Sequence, residues 1–120
     1  MSQAAHLPEA SDHIRDPQLR STLAQVKRAL ADAVGPSVRL ILFGSRARGD
    51  AEPDADVDLM VILPDEAYTF TSRQAVYDVV ADVSLERGYL IVPIIVSERM
   101  ARDHAGFMVF GAVDREGLRV

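Results

Sequence analysis

Two short clusters in this chain hold residue types that do chemistry together. Gly44-Ser45 closes the apolar run Leu40-Ile41-Leu42-Phe43, and after a ten-residue spacer Asp56-x-Asp58 opens a second apolar run, Leu59-Met60-Val61-Ile62. Residues i and i+2 of a strand point to the same face, so Asp56 and Asp58 are expected to project side by side. Two carboxylates so placed repel and raise each other's pKa unless positive charge sits between them. Hard divalent cations with oxygen ligands, Mg²⁺ above all, meet that need. Gly44-Ser45 supplies a complementary half, a tight turn whose backbone N–H groups and hydroxyl can meet a phosphate. Arg46 and Arg48 flank the turn, and one of them would neutralise phosphate charge. A phosphate cradle facing a metal-binding carboxylate pair is the layout that nucleotidyl transfer requires.

The elements that must position these residues follow from pattern. Residues 1–15 are polar and without periodicity, and read as a flexible leader or short helix, with residues 16–120 as one domain. Asp16-Pro17 is a helix start, Leu19, Leu23, Val26, Leu30 and Val34 form a stripe at helical period, and Gly35-Pro36 stops it. Ser37 to Phe43 reads as a first strand, buried on both sides, and Asp56 to Leu63 as a second. Between them, Ser45 to Arg48 is a helical turn, and Asp50, Glu52 and Asp54 are solvated loop charges. Ser72 to Arg87 reads as a second amphipathic helix, with Thr71 or Ser72 as its cap and Gly88 as its end. Tyr89 to Val96 is a third strand, and Pro93 within it favours a sheet edge or bulge. A helix from Glu98 to about His104, capped by Ser97, precedes Phe107, Met108, Phe110 and Val113 at helical spacing, and residues 116–120 form a turn and short strand. A small mixed β-sheet flanked by helices, an α/β or α+β layer fold, is the architecture these elements allow.

Composition bounds the function. A chain of 120 residues with 48% hydrophobic content is one globular domain, its core built from aliphatics because aromatics are only 6% and Trp is absent. The net charge of −5 argues against gripping nucleic-acid backbones through a basic face. With no Cys, disulfides, thiolate zinc sites and thiol nucleophiles are excluded. Without a signal-like N-terminus or an apolar stretch near the ~18 residues of a membrane span, the expectation is a cytoplasmic protein away from membranes. His6, His13 and His104 lack metal-ligand spacing and read as surface residues; Met60, Met100 and Met108 read as core filler.

Gly-Ser alone is commonly just a turn, and Asp-x-Asp alone is loop polarity running into a strand. Together, each at the correct edge of an apolar strand, they resemble the nucleotidyltransferases of the DNA polymerase β-like superfamily. The ten-residue spacer and short chain look most like the minimal nucleotidyltransferases, often paired with a HEPN-domain partner. The resemblance runs from about Val38 to the chain end. It implies the polymerase β-like fold, Mg²⁺ as cofactor and ATP or another NTP as substrate. Asp56 and Asp58 would be the catalytic metal ligands, and Gly44, Ser45, Arg46 and Arg48 the nucleotide-binding residues. It further implies AMP transfer onto a protein hydroxyl, this chain being the antitoxin of a HEPN toxin. No room is left for the helical domain by which larger members hold RNA or drug acceptors, so the acceptor is expected on another polypeptide.

The resemblance also carries a departure. The family's third carboxylate lies on the strand after the second helix, where this chain reads Val92-Pro93-Ile94-Ile95-Val96-Ser97-Glu98 and puts Pro93 in the acid's place. Glu98 would match only after a shift of five residues. Two main readings therefore stand: an active transferase, or a degenerate module that holds nucleotide or neutralises a partner by contact; transfer to an antibiotic or RNA is a third, disfavoured by the missing acceptor domain and the net charge of −5.

Overall fold

The two apolar runs pair antiparallel, and that pairing is the centre of the fold. In the computed structural model, which describes residues 6–103 and 108–120, β1 (Arg39–Phe43) lies against β2 (Val57–Leu63). β3 (Ile91–Ser97) runs parallel to β2, and β4 (Leu118–Arg119) antiparallel to β1, so the sheet is mixed and ordered β3-β2-β1-β4. The helices are α1 (Ala10–His13), α2 (Pro17–Val34), α3 (Ser45–Arg48), α4 (Phe70–Arg87), α5 (Glu98–Asp103) and α6 (Met108–Glu116). This is the small mixed sheet flanked by helices that the sequence implies. Expectations for residues 1–5, His104 and Phe107, and for the Met108 side chain, lie outside the described residues.

Strand alternation divides the core into two layers. Leu40, Leu42, Val57, Leu59, Val61 and Leu63 face α2 and α4, meeting Leu23, Val26, Leu30, Val76 and Val80. Ile41, Phe43, Met60 and Ile62 face the other way, onto Ala101 of α5 and Phe110 and Val113 of α6. Both sides of β1 and β2 are thus covered, which is why those strands read as unbroken apolar runs.

Caps set most of the helix limits. Asp16 accepts from the Gln18 N–H at 3.0 Å, Pro17 takes the first position, and Gly35 ends α2 at φ 104°. α4 starts earlier than its apolar periodicity suggests: Thr69, not Thr71 or Ser72, accepts from the Ser72 N–H at 3.1 Å. The first turn of α4 carries the exposed Phe70, so the buried stripe begins a turn late. Pro93 stands on the edge strand β3, where its missing N–H costs no ladder bond on the inner side.

The leader is fastened over the part described. Leu7, Ala10 and Ile14 are buried, and the Arg119 N–H donates to the Pro8 carbonyl at 2.8 Å. Only Ala10 lies in α1; Leu7 joins the α5–α6 layer, and Ala10 and Ile14 the α2–α4 layer, so the three form no periodic stripe that would stand out in a polar stretch.

Burial assigns stability to α2. Leu30→Ala, at a fully buried site, should cost about 2–5 kcal/mol in denaturant unfolding. Leu85→Ala, at a side chain 86% exposed on α4, should leave the midpoint nearly unchanged.

Candidate functional site

The β1–β2 register brings the two sequence clusters together. Phe43 pairs with Asp58, so the residue after Phe43, Gly44, is carried past the Asp58 side chain as β1 ends. Gly44 has φ 78° and ψ −160°, a conformation side-chain-bearing residues avoid. A Cβ at this position would overlap the Asp58 carboxylate oxygen Oδ2. The turn is therefore glycine for two reasons, its backbone angle and its neighbour. Beyond it, α3 begins at Ser45 and ends at Gly49 in the left-handed region, with the Gly49 N–H donating to the Ser45 carbonyl.

The two arginines of α3 diverge. Arg46 Nη2 donates to the Pro53 carbonyl at 3.1 Å and the Ala55 carbonyl at 3.0 Å, and its guanidinium lies 5.3 Å from the centre of the Tyr89 ring. Arg46 thus clasps the loop that delivers Asp56. Arg48 turns toward the carboxylates, with Nη1 2.7 Å from Glu116 and Nε 3.2 Å from Asp50. Asp50, Glu52 and Asp54 are exposed, as loop charges should be, although Asp50 has Arg48 as a partner. A cleft of about 580 Å³ opens along the outer side of α3, between Arg46–Gly49 and the α1–α2 connection with Ile14, Arg15 and Leu19.

Asp58 sits half-buried at the head of β2, on the face of Met60 and Ile62, with Asp56 exposed just ahead of the strand. Burial pushes its carboxyl above the usual carboxylate range, and the charges of Asp56 and Glu116 push it the same way, against the opposing pull of Arg48. Such a carboxylate is improved by a divalent cation, so Asp56 and Asp58 fit as two oxygen ligands. Among the described residues no three acidic or histidine side chains gather as a metal-binding group. The rest of a hexacoordinate shell would have to come from phosphate oxygens and water.

The register also decides what stands opposite Asp58. Asp58 pairs with Val92, and Leu59 with Pro93. Partners in a parallel ladder share a face, so the β3 side chain beside Asp58 is the apolar Val92, while Pro93, the residue in the acid's place by the family resemblance, faces the α2–α4 layer. Glu98 is no substitute. It pairs with Arg39 at 3.1 Å, at the far end of the sheet, where Ser97 meets Leu63.

Glu116, in a terminal turn by sequence pattern alone, lies beside Gly44 and Arg48. Its Oε2 accepts from the Gly44 N–H at 3.1 Å as well as from Arg48. Seventy-two residues separate it from Gly44, and the packing of α6 on β1 together with the pairing of β4 with β1 joins them. The histidines described are peripheral: His13 is exposed, and His6 lies 3.2 Å from Asp114 at the surface.

Comparison with known proteins gives the family. Residues 23–111 match the family described as Nucleotidyltransferase domain. The chain is also similar to a protein of Methanocaldococcus jannaschii named "Putative protein adenylyltransferase", with 40% identity over 57 residues. That alignment takes in 48% of this chain and 57% of the relative, so the chain spans little more than half the relative's length.

Two outcomes test the site. Gly44→Ala should cost about 1–3 kcal/mol in stability through its backbone angle and should turn Asp58 aside, read as unfolding and as lost Mn²⁺ binding. Asp58→Asn should raise the thermal midpoint at pH 7, because ionised Asp58 is disfavoured in the fold. That gain should shrink as pH falls through the raised pKa and vanish below the ordinary carboxylate range, where both states are protonated.

Proposed function

Since the chain belongs to the Nucleotidyltransferase domain family, we propose that it transfers a nucleoside monophosphate, AMP from ATP, onto a protein hydroxyl with Mg²⁺ as cofactor. Its mixed sheet with flanking helices is consistent with the polymerase β-like nucleotidyltransferase fold. The observation that carries the reading is the lodging of a side-chain-free backbone turn against the Asp58 carboxylate. It lets a triphosphate approach the main chain at the place where carboxylates gather.

In this reading Asp56 and Asp58 hold the cation, and the Gly44 N–H and Ser45 hydroxyl meet the terminal phosphates. Bound there, Mg²⁺ would supply charge stabilisation at the phosphoryl oxygens and help activate the attacking hydroxyl. Arg48, whose guanidinium already points at the carboxylates, is the arginine that neutralises phosphate charge, whereas Arg46 holds the loop carrying Asp56. Transfer joins the acceptor oxygen to the α-phosphorus, breaks its bond to the β-phosphate oxygen, and releases pyrophosphate. The acceptor's hydroxyl proton leaves to solvent or to a carboxylate of the site. The relative's name supports adenylyl transfer to protein, and a HEPN-domain toxin is the acceptor we favour, which makes this chain its antitoxin.

A second reading rests on Val92. With an apolar side chain beside Asp58, the site holds fewer cation ligands on β3 than transfer chemistry uses, and a nucleotide-binding module that neutralises its partner by contact fits that shortage. One experiment separates the two. Purified protein is incubated with Mg²⁺ and each α-labelled NTP, with and without the product of the neighbouring gene, and intact masses are recorded. Transfer predicts a partner heavier by one nucleoside monophosphate, and a loss of that adduct of more than ~100-fold in Asp56→Ala/Asp58→Ala, since truncating groups of a catalytic centre costs at least that much. Partner neutralisation that survives the double substitution, with no adduct, would establish the binding module instead.

A further inference from the structure

The contacts of Glu116 are those a phosphate would make. A backbone N–H and an arginine guanidinium converge on one of its carboxylate oxygens, at 3.1 Å from Gly44 and 2.7 Å from Arg48, and the side chain is only 17% exposed. The placement is built into the fold. Gly117 follows directly, its N–H donating to the Val113 carbonyl at 2.8 Å, and a Cβ there would overlap that carbonyl and crowd Ile41. β4 then pairs with β1 through Ile41–Arg119 and Leu42–Leu118. The end of α6 is therefore pinned beside the Gly44 turn.

Glu116 stands between neighbours of opposite sign: it pairs with Arg48, and its charge also bears on Asp58. It does not complete a cation site, since its contacting oxygen is committed to Gly44 and Arg48, and no three-acid metal group forms among the described residues.

We propose that Glu116 is a built-in anion occupying the phosphate seat, exchanged for the triphosphate when nucleotide binds. The inference rests on the nucleotidyltransferase reading of the site and assigns its regulation. In the empty protein Glu116 holds Arg48 and the Gly44 N–H in place; on binding, both donors pass to phosphate and the Glu116 side chain swings out. With the backbone pinned at Gly117, only side-chain rotation is needed. Because the seat is open only part of the time, apparent affinity falls by that fraction. Glu116 is also ready to return once pyrophosphate departs.

The test is calorimetric titration of MgATP and, separately, inorganic tripolyphosphate into the whole protein and three variants. Glu116→Ala should bind both about tenfold more tightly, the size expected when a charge-assisted contact no longer has to be broken. Glu116→Gln should gain less, because its amide oxygen still accepts from Gly44. Asp50→Asn removes a charge that also pairs with Arg48 but does not touch Gly44, and should change little. Amide NMR gives an independent readout: the Gly44 cross-peak should shift on tripolyphosphate addition in the wild type, and start from a different position in Glu116→Ala. Equal or weaker binding by Glu116→Ala, or an equal gain in Asp50→Asn, overturns the inference while leaving the transferase reading intact. Absence of binding by every form, with folding confirmed by the same spectra, overturns both.

Discussion

The closeness of the Gly44 backbone to the Asp58 carboxylate is the constraint on which the site depends. A single methyl group at position 44 cannot coexist with that carboxylate where it stands. The contact exists because β1 and β2 pair so that Phe43 meets Asp58, and the register is held by apolar residues that alternate between two buried layers. A slip of one residue would send Leu59 and Leu63 to the wrong layer, so core packing enforces the geometry of the polar end. Stability and chemistry are therefore linked through one ladder rather than through separate parts of the chain.

Around this contact the charged residues divide their work by direction. Arg46 and Arg48, two apart on one helical turn, point to opposite duties: one binds the loop ahead of Asp56, the other meets the carboxylates. The acids divide likewise. Asp58 is held half-buried against its electrostatic preference, Asp56 remains in solvent, and Glu116 arrives from the far end of the chain. A carboxylate with like charges beside it favours the arrival of positive charge, which in a nucleotide site is the metal ion's.

What was legible in the sequence was what is local. Gly-Ser at the end of one apolar run and Asp-x-Asp at the start of the next announce themselves through spacing alone. So do the caps of α2 and the edge placement of Pro93. Features that depend on strand register were hidden. Telling Val92 from Pro93 as the neighbour of Asp58 requires knowing which residues pair across a parallel ladder joined by a long helical crossover. Glu116 required more still: it lies seventy-two positions from Gly44, next to a two-residue strand whose docking no local pattern announces. The leader misled for a different reason: its buried residues are few, and the partner that buries them is the far end of the chain. The start of α4 was missed because its cap precedes an exposed phenylalanine that breaks the stripe.

Pro93 has one more consequence, which concerns how this sheet meets other proteins. A strand at a sheet border is a template on which a foreign strand can polymerise, and proteins blunt it with prolines, charges or coverings. Here β3 carries an imino acid in its middle, while the opposite border, β4, is shielded by Pro8 and Glu9, with Arg119 bonded to both. Each border thus has its own obstacle to strand addition. Those obstacles act on strands of any origin, a foreign polypeptide or a second copy of this chain alike.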